Sequence, residues 1–226
     1  MTHPYAHRLA QWLRAHRHEA NAGPMKQYMR NQFEFLGIKT PERRALLKEF
    51  LAQHGLPPRT ELADIVIKLW EWPERELQYC ALALLEKEKR SLSKTDLEFI
   101  EKLITNKPWW DTVDMLAANI VGPLFKNEPE CIPVYTERWM QSNHMWLQRT
   151  AILFQLRYKE ETDEALLYQL IRQCRQSSEF FIQKAIGWAL REYSKTHPAS
   201  VQRFVENETL APLSKREALK VIQRRR

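Results

Sequence analysis

Apolar side chains recur three and four positions apart along the whole chain, and Pro, Gly or a capping residue interrupts the pattern at short intervals. This punctuation predicts helices near residues 4–20, 24–34, 41–54, 61–70, 73–89, 94–105, 108–126, 129–141, 145–159, 163–175, 178–195, 198–207 and 214–224. Thr40-Pro41-Glu42 reads as a cap followed by Pro at the first helical position, while Ser93 with Asp96 and Ser214 with Glu217 have capping-box spacing. With only 5 Gly and few β-branched runs, the chain predicts an all-α fold. Successive segments pair into helical hairpins at a spacing of about 35–40 residues, the pattern of a stacked solenoid in which each repeat buries its face on the next. Sequence identity between the pairs is low, so spacing alone carries that assignment. An irregular helical bundle fits the periodicity equally well.

The helix expected from Pro108 lays Trp109, Val113, Leu116 and Ile120 on one stripe, its packing face. Trp110 and Asp114 sit one turn apart beside that stripe, so an indole and a carboxylate share a ridge. Asp111 is explained by the positive end of the helix dipole. Asp114 lies a turn deeper, where its plainest structural role is a salt bridge to an Arg on a neighbouring helix.

In EFFIQKAIGWALREY, Ile182, Ala185, Ile186, Ala189, Leu190 and Tyr193 make the core face. Trp188 points nearly the opposite way, with Phe181, Lys184 and Arg191 at helical spacing around it. An aromatic flanked by cations suits nucleic acid, the cations meeting phosphates and the ring meeting sugar or base. Cover by another helix, with a cation–π contact, is the structural alternative. MWLQRTAILFQLRYK is apolar almost all round, with Gln148, Gln155 and Lys159 as a narrow polar strip, which predicts a central helix. Arg149 at the edge of that strip needs a carboxylate or a phosphate to offset its burial; Asp114 is one candidate partner and a DNA phosphate the other. At FLGIKTPERR, Gly37 supports a turn, and the helix after Thr40 offers free backbone N–H groups with Arg43 and Arg44 one turn on. That arrangement can bind a phosphate.

Charge sharpens the picture. The net charge is +7, yet residues 1–140 hold 20 Lys and Arg against 19 Asp and Glu, whereas residues 141–226 hold 15 against 9. The excess fits a nucleic-acid partner, although Arg224, Arg225 and Arg226 supply three of those cations as a solvated tail. At 226 residues the chain can bury a core without disulfide or metal, and one domain spanning 1–226 is expected. Cys80, Cys131 and Cys174 are odd in number and lack C-x-x-C spacing, so they read as reduced, mostly buried thiols; His16 and His18 read as solvated. No metal and no cofactor is expected. No apolar run of 18 occurs, so a cytoplasmic location without membrane contact is expected. Nothing signals an oligomer or an obligate protein partner, and a monomer is expected.

Taken in order from about residue 24 to residue 222, FLGIKTPERR, the WWD-x-VD segment, WLQR-x-AILFQL, FFIQKAIGW-x-LREY and LAPLSKREA resemble the AlkD-type DNA alkylation-repair glycosylases. The resemblance implies HEAT-like repeats in a curved right-handed α-solenoid with a positively charged concave groove for duplex DNA. It also implies excision of cationic alkylated purines, such as 3-methyladenine and 7-methylguanine, without drawing the damaged nucleotide into a pocket. The second Trp of the WWD motif falls on Trp110, its nearby acid on Asp114, the Arg of WLQR on Arg149 and the GW tryptophan on Trp188. The expected site therefore sets Asp114, Trp110 and Trp188 at the reacting nucleotide, with Arg149, Lys184, Arg191, Tyr28, Thr40, Arg43 and Arg44 on the DNA.

A cationic alkylpurine leaves as a neutral base and needs no general acid, so one carboxylate can serve where most glycosidases need two. As the bond breaks, positive charge moves to the deoxyribose; a carboxylate at about 4 Å and an effective dielectric of about 20 stabilises it by roughly 4 kcal/mol. That corresponds to about a thousandfold in rate. The rival expectation is a non-catalytic helical-repeat module that binds damaged or structured nucleic acid. A metal-dependent nuclease lacks support, since no carboxylates or His cluster at ligand spacing.

Overall fold

A computed structural model describes residues 3–224. The periodic segments form α1 (Pro4–Ala15), α2 (Glu19–Tyr28), α3 (Thr40–His54), α4 (Leu62–Glu71), α5 (Arg75–Glu88), α6 (Leu97–Thr105) and α7 (Trp110–Met115). They continue as α8 (Gly122–Asn127), α9 (Cys131–Gln141), α10 (Met145–Leu153), α11 (Glu164–Cys174), α12 (Phe180–Tyr193), α13 (Pro198–Asn207) and α14 (Pro212–Arg224). Among the described residues the one β-type contact is an isolated bridge between Glu34 and Glu74. The fold is all-α, as the sequence predicts. The chain divides into two compact units, Met1–Ser91 and Leu92–Arg226.

In the first unit α1 starts with Pro4, and the His3 ring accepts the Tyr5 N–H at 3.2 Å; Tyr5, Ala6, Leu9, Ala10 and Leu13 are its buried face. The helix expected over 24–34 forms at 19–28 instead, and Arg30 and Asn31, both at positive φ, end it. The reason lies downstream. Buried Glu76 accepts the backbone N–H groups of Leu36, Gly37 and Ile38 at 3.0, 2.9 and 3.1 Å, which fixes residues 35–38 outside any helix. Gly37 has φ +86°, and a methyl group there would overlap the His18 carbonyl, so only glycine fits. Thr40 is already helical; Lys39 occupies the cap position and no side chain caps α3. Pro41 lies in the first turn, where its missing N–H has no helical partner to lose.

In the second unit the repeat period is visible in its side-chain ties. Trp139 donates to Glu101 across 38 residues, Lys126 to Glu161 across 35, Tyr158 to the Gly122 carbonyl across 36 and Arg172 to Glu208 across 36. Helices one repeat apart are thus stitched together, the stacking expected of helical repeats. Helix α10 touches α6, α7, α9, α11 and α12, and is central as its composition predicts. It stops at Leu153, however, not near 159. Beyond it the Gln155 amide bonds both the N–H and the carbonyl of Asp163, at 2.8 and 3.3 Å, and the Tyr158 hydroxyl reaches the Gly122 carbonyl at 2.7 Å. The helix expected over 108–126 is interrupted by a π-turn, Leu116–Val121, just ahead of Pro123, which has no N–H to offer the α ladder. The Ser93–Asp96 capping box forms, with Ser93 N–H donating to Asp96 at 2.8 Å. Cys80, Cys131 and Cys174 are buried and unpaired, as expected. No described helix is long and apolar enough to cross a membrane.

Candidate active site

Helices α7 and α12, with the turn after α10, border a cleft of about 340 Å³ in the second unit. Trp110, Asp111 and Asp114 line it from α7, Leu156 and Arg157 from the turn, and Trp188 and Glu192 from α12. Trp110 and Trp188, 78 positions apart in sequence, are brought to the one opening that Asp114 also lines. The ridge of Trp110 and Asp114 is as the helical spacing predicts.

Arg149 resolves the choice the sequence leaves open. Its Nε and one terminal nitrogen donate to the two oxygens of Asp114 at 2.7 and 2.9 Å, and the other terminal nitrogen donates to the Phe181 carbonyl. These bonds fix the guanidinium against Asp114 and take three of its five N–H donors. The Phe181 ring, 5.9 Å from the guanidinium, joins Trp109 and Trp146 in an aromatic cluster with centroids 5.0–5.9 Å apart. The Asp114 side chain keeps 14% of its surface, which is enough to face the cleft, whereas that of Arg149 keeps 5%. Burial pushes the Asp114 carboxyl above its ordinary 3.8, and the Arg149 fork pulls against that rise. Each carboxylate oxygen retains a lone pair that Arg149 does not use.

Lys184 and Arg191, at helical spacing from Trp188 on α12, have a carboxylate partner. Both turn to α14, where Glu217 receives Lys184 at 3.1 Å, Arg191 at 2.7 Å and Lys220 at 2.6 Å. Gly187 explains the closeness, since a methyl there would come 2.5 Å from Glu217 Cβ. Ser214 and Glu217 accordingly form no capping box; the Ser214 hydroxyl donates to the Gln183 carbonyl at 2.9 Å. Burial works against ionisation of Glu217, but the hydrogen bonds from Lys220 and Lys184 outweigh it and hold its carboxyl at about 2, down from 4.5. The sign follows: this contribution to stability is complete above pH 4.5 and is lost as pH falls through about 2. Thermal melts at stepped pH are expected to show a difference between wild type and Glu217→Gln that is constant above pH 4.5 and shrinks below it. A difference that does not change with pH would show that the carboxylate's charge is not what joins α12 to α14.

The remaining expected DNA contacts lie in the first unit. Tyr28 is 72% exposed, and Thr40 and Arg44 are exposed on α3. Arg43 instead lays its guanidinium 4.3 Å over the Tyr79 ring. His18, expected to be solvated, meets Glu42 at 2.7 Å, and His16 meets the Trp12 carbonyl at 2.8 Å. Near the start of α9, Glu128, Glu130 and Cys131, neighbours in sequence, bring their side-chain ligand atoms within 4.8 Å of one another, a local group that sequence reasoning passes over. Lys94 engages both of those carboxylates, through its N–H at 3.0 Å and its ammonium at 3.3 Å. Glu217 is misread from its spacing to Ser214, and Arg157 and Glu192, which line the cleft, carry no sequence signal.

Comparison with known proteins gives a consistent picture. A family model described as DNA alkylation repair enzyme matches residues 9–222. A predicted DNA alkylation repair enzyme from Enterococcus faecalis is similar in structure, with a TM-score of 0.83, 35% identity, and coverage of 90% of this chain and 95% of that one. AlkD2 from Streptococcus mutans shares the fold at a TM-score of 0.62 and 19% identity, over 87% of this chain and 98% of that one. Among curated proteins none matches.

Proposed function

The chain belongs to the DNA alkylation repair enzyme family, and within it we propose that the protein is a monofunctional DNA glycosylase that hydrolyses the N-glycosidic bond of cationic alkylated purines in duplex DNA. The observation that carries this reading is Asp114, clamped by Arg149 on one side and open on the other to a cleft walled by Trp110 and Trp188. The leaving base departs neutral, so the site needs no acid. It needs a fixed negative charge at the deoxyribose as that ring becomes electron-deficient, and a lone pair to align the attacking water. Asp114 supplies both, and the bidentate fork keeps its carboxylate from rotating away.

The indoles address the sugar and backbone of the damaged nucleotide, and their electron-rich faces favour its cationic form. The base is not drawn into the protein. Residues 1–226 serve as one DNA-binding and glycosylase domain, a cytoplasmic monomer acting without an obligate protein partner. Tyr28, Thr40 and Arg44 contact the duplex from the first unit with Arg43 beside them. Lys184, Arg191 and Lys220 exceed Glu217 in charge and attract the duplex at longer range.

The test is a duplex carrying 7-methylguanine. Free 7-methylguanine should appear in the presence of EDTA, with the strand intact until alkali is added; direct strand cleavage, or binding with no free base, would replace this reading with a nuclease or a binding module. Trp188→Ala is expected to weaken both binding to the lesion duplex and the rate, with affinity falling about 5- to 150-fold, the range for loss of one aromatic stacking partner. Equal affinity before and after the change counts against the contact.

A further inference from the structure

The cleft presents an electrostatic problem that the sequence does not reveal. Three carboxylates line it, Asp111, Asp114 and Glu192, and a DNA strand must bring its phosphates beside them. The cations expected to receive those phosphates are committed elsewhere. Arg149 is held by Asp114 and the Phe181 carbonyl, and Lys184 and Arg191 by Glu217. Among the described lining residues one cation remains, Arg157. Its side chain is exposed, on the turn that follows α10, eight positions after Arg149. The same turn is held by Tyr158 bonded to Gly122 and by Gln155 bonded to Asp163, so the guanidinium projects from an anchored backbone.

We propose that Arg157 is the phosphate anchor of the cleft: it grips the backbone phosphate next to the lesion and so holds the sugar between Trp110 and Trp188 against the repulsion of the three carboxylates. The proposal rests on the reading of the chain as an enzyme of duplex DNA, and deepens it. A planar guanidinium suits the role because it can meet two phosphate oxygens at once. Since the anchor touches backbone and not base, it contributes to lesion and undamaged duplex alike. Its chemistry is a positioning one; the reacting bond is met by Asp114.

The experiment is the salt dependence of affinity for an undamaged duplex, followed by fluorescence anisotropy, for wild type, Arg157→Gln and Arg157→Lys. Loss of one phosphate contact lowers the slope of log affinity against log salt by about 1, and affinity at about 0.1 M salt by roughly 5- to 10-fold. Arg157→Gln should show both changes, and Arg157→Lys should keep the slope of wild type. Single-turnover release from the 7-methylguanine duplex should fall with Arg157→Gln at limiting enzyme and recover in part at saturating enzyme. A slope in Arg157→Gln equal to that of wild type overturns the proposal, as does equal loss in both variants, which would mean that shape and not charge is at work. Because the binding arm needs no chemistry, a wild type that binds duplex but releases no base would sink the glycosylase reading alone.

Discussion

Replacing Asp114 by Asn is expected to slow single-turnover release of 7-methylguanine by about a thousandfold while leaving most of the affinity for the duplex. The structure changes how that loss is apportioned. A carboxylate about 4 Å from the developing sugar cation stabilises it by roughly 4 kcal/mol at an effective dielectric of about 20, but a guanidinium about 8 Å away opposes by roughly 2 kcal/mol. In wild type the pair therefore contributes a net of roughly 2 kcal/mol, or about thirtyfold. Asp114→Asn removes the attraction and leaves the repulsion, which costs the full difference of about 4 kcal/mol. Removing both charges, as Asp114→Asn with Arg149→Met, should restore about thirtyfold of the lost rate relative to Asp114→Asn alone. Release unchanged in Asp114→Asn would take the residue out of the mechanism, and equal rates in the single and double variants would show that the guanidinium is not felt at the sugar.

Arg149→Met alone is expected to be the most destabilising change at the site, by about 3–5 kcal/mol in denaturant unfolding, because it strands a buried carboxylate. Asp114 is already raised above 3.8 by burial, and loss of the opposing fork raises it further. A carboxyl whose folded pKa exceeds its unfolded one destabilises where the unfolded chain is ionised. The penalty is therefore absent below pH 3.8 and complete above the raised folded value. Adding Asp114→Asn should recover much of the stability. For the same reason the acid limb of the release rate should move to higher pH in Arg149→Met, since only the ionised carboxylate acts. Unfolding curves that match wild type at neutral pH would mean that the pair is solvated and contributes little.

Much of the fold is written in periodicity. Most helices lie where apolar spacing, Pro and capping residues put them, and the repeat of about 35 residues returns as ties such as Lys126 to Glu161. The failures have a common cause. The helix expected over 24–34 ends at Tyr28, ahead of a segment whose Leu36, Gly37 and Ile38 N–H groups are taken by Glu76, some 40 positions away, and α10 ends early because Gln155 and Tyr158 find partners on other segments. Ser214 and Glu217 have the spacing of a local box, yet both turn to α12.

The candidate site divides in the same way. The chain by itself determined that Trp110 and Asp114 share a ridge, that Trp188 lies off its helix's core face and that buried Arg149 requires an anionic partner, because each follows from helical geometry or from the cost of an unpaired charge. Which anion Arg149 takes, where Lys184 and Arg191 point and that Arg157 reaches the cleft were decided only by tertiary structure. Side-chain spacing ranks neighbours within one helix. The partner of a long cation is chosen across helices, among residues dozens of positions away, by which carboxylate the packing leaves within about 3 Å.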